Sequence, residues 1–304
     1  MVLNQYIWLM ILNPQEQFIL HANARNILAQ PFLKWAGGKR QLLPTIRKYL
    51  PQTFNTYYEP FVGAGALLFE MQPKKAVIND VNTDLINCYT VIRDLPTDLI
   101  QDLKKHENSS EYFYSIRELD RTNEFKNLNL IERASRIIYL NKTCYNGLFR
   151  VNRQGQFNSP FGRYKKPNYF NPEVLYAISS YLNENDVKIL NVDFSKVVET
   201  AEKGDFIYFD PPYDPLSETS SFTGYSLNQF GKSEQERLKD VFEALTIKGC
   251  KVMLSNSSTE FISKLYEDYN IVRIQANRNI NSVGSGRKKI EEYLILNYNP
   301  DNDE

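Results

Sequence analysis

Short apolar runs that end at a turn and lead into a helical pattern recur along this chain. That alternation limits its fold more than any other feature. "YYEPF" (57–61) reads as a strand, "GAGALLFEM" (63–71) as a tight turn entering a helix, and "KAVIND" (75–80) as a second strand. "NTDLINCYTVIRDL" (82–95) follows as an amphipathic helix. From about Pro96 to Leu140 the pattern is helical and poor in strands. "TCYNGLFRVNRQGQFNSPFGRY" (143–164) then alternates aromatics around Gln154-Gly155, which predicts a β-hairpin. After about Phe170 the alternation resumes: strands "VKILNVDF", "DFIYFDPPY" and "KVMLSNSS", with helices "SEQERLKDVFEAL" and "EFISKLYEDY" between and after them. "YNIVRIQANR" and "IEEYLILNY" predict a closing antiparallel pair. The expectation is an α/β sheet interrupted by a mostly helical insertion that carries a β-hairpin. Residues 1–30 read as an extension ahead of the first motif.

Charge narrows the partners. The 304-residue chain has a formal net charge of zero, which argues against a generic polyanion binder. The distribution is uneven, however. No acid lies between Glu132 and Glu173, while Arg133, Arg136, Lys142, Arg150, Arg153, Arg163, Lys165 and Lys166 do. A second acid-free run, 271–290, carries Arg273, Arg278, Arg287, Lys288 and Lys289. Two one-signed stretches in a neutral chain point to nucleic acid as the partner. Three scattered cysteines, with no C-x-x-C pair and only two histidines, speak against a disulfide framework or a structural zinc site. The run "YIWLMIL" (6–12) is too short to span a bilayer and lacks the flanks of a secretory signal. A cytoplasmic protein without a membrane segment is the expectation.

Gly63 and Gly65 sit between a strand and a helix, where small residues let backbone approach a nucleotide-like ligand; a purely structural turn fits them as well. Asp80 ends the next strand, where an acid can accept hydrogen bonds from ribose hydroxyls. Leu68 replaces the third glycine of a dinucleotide fingerprint, so an adenosine carrier without a pyrophosphate suits the site better than NAD. "FLKWAGGKRQ" (32–41) fails as a phosphate loop: Leu33 stands at the required earlier glycine, and Arg40 replaces Ser or Thr. Asp210-Pro211-Pro212-Tyr213 ends a buried strand at a rigid corner, because proline cannot continue a ladder. The Asp210 carboxylate and the Pro211 carbonyl can both accept from the N–H groups of an aromatic amine and aim its lone pair at an electrophilic methyl. Tyr213 can stack on the base. By itself, D-P-P is also a common β-turn.

Taken in order, "FLKWAGGKRQLLPTI", "EPFVGAGALLFE", "INDVNTDLINCY", "YNGLFRVNRQGQFNSPFGRY" and "DFIYFDPPY" resemble the Dam-type DNA adenine-N6 methyltransferases, and among them the Dpn-type GATC-specific methylases. The resemblance runs from Phe32 nearly to the C-terminus. Thr143-Cys144 before Tyr145, Phe149 at a variable site and the N-terminal extension are its departures. It implies a Rossmann-like S-adenosylmethionine-dependent sheet, with the cofactor motif ahead of the catalytic one. The catalytic domain would comprise 31–84 and 171–304, with a target-recognition domain over 85–170. Trp35, Lys39, Glu59, Phe61, Gly63, Gly65, Asp80 and Asp210 would then serve the cofactor, and Asp193 and Phe194 its adenine. Tyr145 would fill the space left by a flipped adenine, Asn146 would approach the orphaned thymine, and Arg150 would read a guanine edge. Leu148 and Pro160 would touch a thymine methyl, Tyr164 would fix the hairpin on DNA, and Lys34 would reach the outer guanine. Asn152 belongs to the same DNA-binding set. Lys165 and Lys166 meet phosphate alone in the simplest reading. Double-stranded DNA would be the substrate, no metal is needed, and a monomer working beside a restriction endonuclease of the same specificity is expected. The competing readings are a methyltransferase for cytosine-N4 or RNA, since the same corner serves any exocyclic amine, and a DNA-binding protein without catalysis.

Overall fold

The computed structural model describes residues 25–35, 39–215, 230–277 and 289–300. Most of the expected N-terminal extension, Ala36–Gly38 of the first motif and 278–288 of the second acid-free run lie outside the described residues. The strands are β1 (Tyr57–Glu59), β2 (Lys75–Asn79), β3 (Asp186–Leu190), β4 (Phe206–Phe209), β5 (Lys251–Ser257), β6 (Asn270–Asn277) and β7 (Lys289–Leu296). They form one seven-stranded sheet in the order β3-β2-β1-β4-β5-β7-β6. The first five are parallel, and β7 is inserted antiparallel between β5 and β6. This is the expected Rossmann-like sheet, and its closing pair is the expected antiparallel one.

Period-two alternation divides the strand residues between two cores. Tyr57, Ile78, Phe206, Tyr208, Met253, Leu294 and Leu296 face one side, while Tyr58, Val77, Ile207, Phe209, Leu254, Tyr293 and Ile295 face the other. The first face is covered by α2 (Ala66–Met71), α3 (Thr83–Asp94), α4 (Pro96–Leu103), α6 (Leu130–Thr143) and α7 (Pro172–Glu184). A shorter helix, α1 (Leu43–Ile46), precedes them, and α5 (Ser110–Glu118) lies within the insertion. The second face is covered by α8 (Phe194–Val197), α9 (Lys232–Ile247) and α10 (Glu260–Leu265). Helices on both faces explain why the parallel strands read as nearly continuous apolar runs. Capping sets the starts of three helices on the first face: Asn82 caps α3, Asn129 and Glu132 form a capping box on α6, and Asn171 with Pro172 opens α7. Arg25 ties the chain ahead of the first motif to α2 through Glu70, at 2.7 Å.

One local expectation holds and one is corrected. Residues 143–164 form the expected hairpin, its arms joined by backbone bonds from Tyr145 to Pro160, Asn158 to Arg150, Asn152 to Gln156 and Gly162 to Thr143 (2.7–2.8 Å), with antiparallel bridges at Cys144–Phe161 and Val151–Phe157 and Tyr145–Gly147 in a 3-10 turn. It is also held from the side. Phe157 N–H donates to Asp120 Oδ2 (2.8 Å), and the Phe157 carbonyl accepts from Arg121 (2.8 Å). The helix expected over 260–269 ends at Leu265, with Tyr266 buried in the second core. No helix among the described residues is long and apolar enough to cross a membrane.

Candidate active site

Parallel α/β sheets bind ligands at the carboxyl ends of their strands, beside the point where strand order reverses. Here β1 is flanked by β2 and β4, so the crevice opens between the loops that follow β1 and β4. The first runs Pro60–Gly65 and the second begins at Asp210. Asp80 follows β2, Asp193 follows β3, and all these residues therefore gather at one edge.

The loop after β1 is built around two glycines. Gly63 has φ +49°, and a Cβ there would come within 2.9 Å of the Trp35 ring. Gly65 has φ +71° and would place a Cβ 2.7 Å from the Tyr89 hydroxyl. Side chains are excluded on both counts, conformation and space. Asp80 closes the loop: its Oδ2 accepts from Gly63 N–H (3.2 Å) and its Oδ1 from Asn82 N–H (2.9 Å). Burial pushes the Asp80 carboxyl up to about 6, against the pull of those two amides. Buried Asn79 staples the neighbouring loops, donating to the carbonyls of Pro60 and Val192 and accepting from Val192 N–H. Glu59 ends β1 with its Oε2 buried and, among the described residues, without a hydrogen-bond partner. Burial raises its carboxyl well above the usual range, and the Asp210 charge adds to this.

At the corner after β4, Lys39 is only 3% exposed and bridges three groups. Its Nζ lies 2.8 Å from Asp210 Oδ1, 2.5 Å from the Tyr213 hydroxyl and 3.8 Å from Glu292 Oε2. Tyr213 donates in turn to Glu292 Oε2 at 2.9 Å. Burial raises the Asp210 carboxyl above its ordinary value, and the Lys39 ammonium opposes the shift. The corner's backbone is held from behind. Gln235 donates to the Pro212 carbonyl (2.9 Å), Asp214 N–H donates to Asn256 (3.1 Å), and Ser257 donates to the Asp214 carbonyl (2.6 Å). The Pro211 carbonyl accepts no hydrogen bond among the described residues, so it and the Asp210 carboxylate are two acceptors that can meet an amine's two N–H groups. Reasoning from sequence missed Glu292, Gln235, Asn256 and Ser257. Glu292 did leave a signal: it falls on the β7 face shared with Leu294 and Leu296, where an acid interrupts an apolar row.

Asp193 caps α8, and both its oxygens are held by Arg237 at 2.8 Å. That guanidinium keeps the Asp193 carboxyl well below the usual range. Arg237 also lies 4.1 Å over the ring of Phe194, which is buried beside Phe61. Arg237 is a further residue absent from the sequence expectations.

The residues expected to contact DNA lie on and around the 143–164 hairpin. Lys34 backbone is clamped in both directions by buried Asn141, at 2.8 and 2.7 Å, and its ammonium lies 5.3 Å over the Tyr164 ring. Gly147, at φ +65°, packs directly against the Lys34 side chain. Lys34, Tyr145, Asn146, Arg150 and Pro160 are exposed; Cys144, Gly147, Phe149 and Phe157 are buried beneath them. Leu148 is half-buried, and its carbonyl accepts from Ser159 Oγ. Asn146 adopts φ +56°, which asparagine tolerates better than most residues. Arg150 donates to the Asn158 carbonyl (2.9 Å). Asn152 spends its side chain closing the turn, accepting from the N–H groups of Gln154 and Gln156. Trp35 joins this surface to the glycine loop, stacking on Phe149 at 4.8 Å while lying against Gly63.

These residues fit a sulfonium nucleoside. Asp80 offers a carboxylate beside the glycine loop, Glu59 Oε2 is a buried acceptor that no described residue satisfies, and Asp210 and Glu292 outnumber Lys39 by one formal charge. Among the described residues no group of three or more His, Cys, Asp or Glu is arranged to hold a metal ion.

A family model described as D12 class N6 adenine-specific DNA methyltransferase matches residues 35–280. The chain is 49% identical to Type II methyltransferase M1.LlaDCHI of Lactococcus lactis subsp. cremoris, over 92% of this chain and 99% of that one. It is 44% identical to Type II methyltransferase M.MjaIII of Methanocaldococcus jannaschii, over 88% and 99%. It is 35% identical to the DNA adenine methylase of Escherichia coli K12, over 88% and 95%.

Proposed function

The chain belongs to the D12 class of N6 adenine-specific DNA methyltransferases, and from that premise we propose that it methylates adenine within GATC in double-stranded DNA, using S-adenosylmethionine. The observation that carries this reading is the Trp35 bridge: one side chain touches both the glycine loop beside Asp80 and the loop that presents Tyr145 to Pro160.

When bound, S-adenosylmethionine supplies an electrophilic methyl on a sulfonium. Trp35, Glu59, Phe61, Gly63, Gly65 and Asp80 would hold it, with Asp193 and Phe194 at its adenine. Asp210 and the Pro211 carbonyl accept the two N–H groups of the target amine. This draws the nitrogen lone pair out of conjugation and aims it. Lys39 fixes one Asp210 oxygen, and Pro212 keeps the corner rigid, so the acceptors need no reorganisation as the reaction proceeds. Tyr213 provides the ring against which the base stacks.

In the recognition domain, proposed as 85–170, Arg150 reads a guanine edge and Asn146 the orphaned thymine. Leu148 and Pro160 meet a thymine methyl, Lys34 reaches the outer guanine, and Asn152 and Tyr164 hold the loop in reading position. The enzyme acts as a cytoplasmic monomer beside an endonuclease of the same specificity, a reading that leans on the Type II name of two relatives.

The test is methyl transfer to duplexes carrying GATC or its single-base variants. Arg150→Ala is expected to lose about 1–3 kcal/mol of discrimination at one guanine while other positions stay selective. Asp210→Ala should lose about 10²–10³ in rate and still bind DNA. A wild type that methylates adenines without regard to GATC overturns the target assignment. Equal loss on every duplex makes Arg150 a phosphate contact.

A further inference from the structure

Resting on that reading, we propose that Glu292 is a positioning residue for methyl transfer: it holds the Tyr213 hydroxyl and shares Lys39 with Asp210, fixing the ring and the acceptor together.

A carboxylate buried to 7% exposure is costly to keep in a sheet and needs compensation. Glu292 occupies an inward position of β7, in line with Leu294 and Leu296, where an apolar side chain would pack without cost. Its location follows from topology. Antiparallel β7 pairs Glu292 with Ser257 at the carboxyl end of β5, while β5 pairs in parallel with β4. The early residues of β7 thus reach the edge where β4 ends at Asp210. There Glu292 Oε2 accepts from Tyr213 (2.9 Å) and lies 3.8 Å from Lys39 Nζ, which itself holds Asp210 (2.8 Å).

Two consequences follow. Tyr213 has one hydroxyl, and directing it to Glu292 selects one ring orientation at the corner. Lys39 lies between two carboxylates rather than one, so its ammonium is shared and is not committed to Asp210 alone. Removing Glu292 releases the Tyr213 hydroxyl and leaves Lys39 to neutralise Asp210. The residue touches neither substrate nor reacting atoms; it acts through Tyr213 and Lys39.

The experiment measures single-turnover methyl transfer, DNA affinity and the pH–rate profile for Glu292→Ala, Glu292→Gln, Tyr213→Phe and the double variants. Glu292→Ala is expected to lower the rate about 10–100-fold, as losing a residue that orients a reacting group does, with DNA affinity unchanged. Glu292→Gln keeps an acceptor for Tyr213 and should recover part of that loss. In a Tyr213→Phe background Glu292→Ala should cost less than it does alone, since the Tyr213 contact is already gone and only the one to Lys39 remains. The groups around Asp210 are Lys39, Glu292, Tyr213, Tyr208 and Glu59. Removing the Glu292 charge from among them should move the acid limb of the profile to lower pH. Rates that stay near wild type, or losses that multiply across the double variants with an unmoved pH profile, overturn the role and leave a structural ion. A wild type that transfers no methyl to any DNA adenine overturns the functional reading and this role with it, a result distinct from either.

Discussion

Asp80 shows how one residue can serve a site at the expense of the fold. Its carboxyl is raised to about 6 by burial, above the ordinary value of 3.8. A group raised in this way contributes stability that is full below its unfolded value and lost as pH rises through the folded one. At neutral pH the Asp80 charge therefore strains the protein, while the proposed site uses that charge as the acceptor of ribose hydroxyls. Asp80→Asn is expected to raise the melting temperature above pH 6 and to weaken S-adenosylmethionine binding by about 1–3 kcal/mol. Calorimetry on the wild type should also show affinity falling as pH drops below about 6, roughly tenfold per unit, a trend absent in Asp80→Asn. Equal affinities in the two proteins would place the ribose elsewhere. The acid was legible in the sequence because it ends an apolar run within reach of a glycine turn. Arg237 and Gln235 were not: on an amphipathic helix, residues of their type are ordinary surface positions, and only packing turns them toward Asp193 and Pro212.

At the scale of elements, the hairpin over 143–164 forms as alternation predicts but is held from outside as well as across its arms. Aromatics around Gln154-Gly155 signal the pairing, and backbone bonds from Asn158 to Arg150 and from Asn152 to Gln156 make it. The outside partner is the 3-10 turn Leu119–Arg121, which no local pattern connects to residue 157. Asp120 Oδ2 accepts both Phe157 N–H and the guanidinium of Arg136, itself 3% exposed. Long-range side-chain bonds of this kind fix a short hairpin in place without changing the sequence period. Asp120→Ala leaves a buried cation without its carboxylate, which costs about 3–5 kcal/mol. Urea denaturation should register that loss. Cofactor affinity should stay unchanged, because Asp120 lies in the insertion and the glycine loop does not depend on it, while methylation of DNA slows. A variant as stable as the wild type would show that water replaces Asp120 at Arg136.

For the whole molecule, the sheet and the insertion share one core: Ile78 and Leu294 belong to the same buried cluster as Ile137, Tyr139 and Phe157. Strand–helix alternation made the layers legible, but not that the insertion and the catalytic sheet would fuse, because each segment's period reports only its own buried face. Fusion predicts a single cooperative unfolding transition rather than separate melting of the recognition part. His106 offers a probe of it from within the insertion. Its ring accepts or donates at Ser135 Oγ (2.9 Å) and the Tyr112 hydroxyl (3.0 Å) and stacks on Tyr139 at 4.3 Å, joining the end of α4 to α5 and α6. Burial lowers its value to about 4, from 6.5. The imidazole is thus neutral in the fold, and its contribution is full above pH 6.5 and lost as pH falls through about 4. His106→Gln cannot titrate, so the stability gap between wild type and variant should be widest at neutral pH and close between 6.5 and 4. If the core is continuous, that gap appears in global unfolding followed by β-sheet signals as well as by helical ones. A gap seen only in the helical signal would mean that the insertion opens on its own, and that the shared core does not couple the reading of DNA to the sheet that carries Asp210.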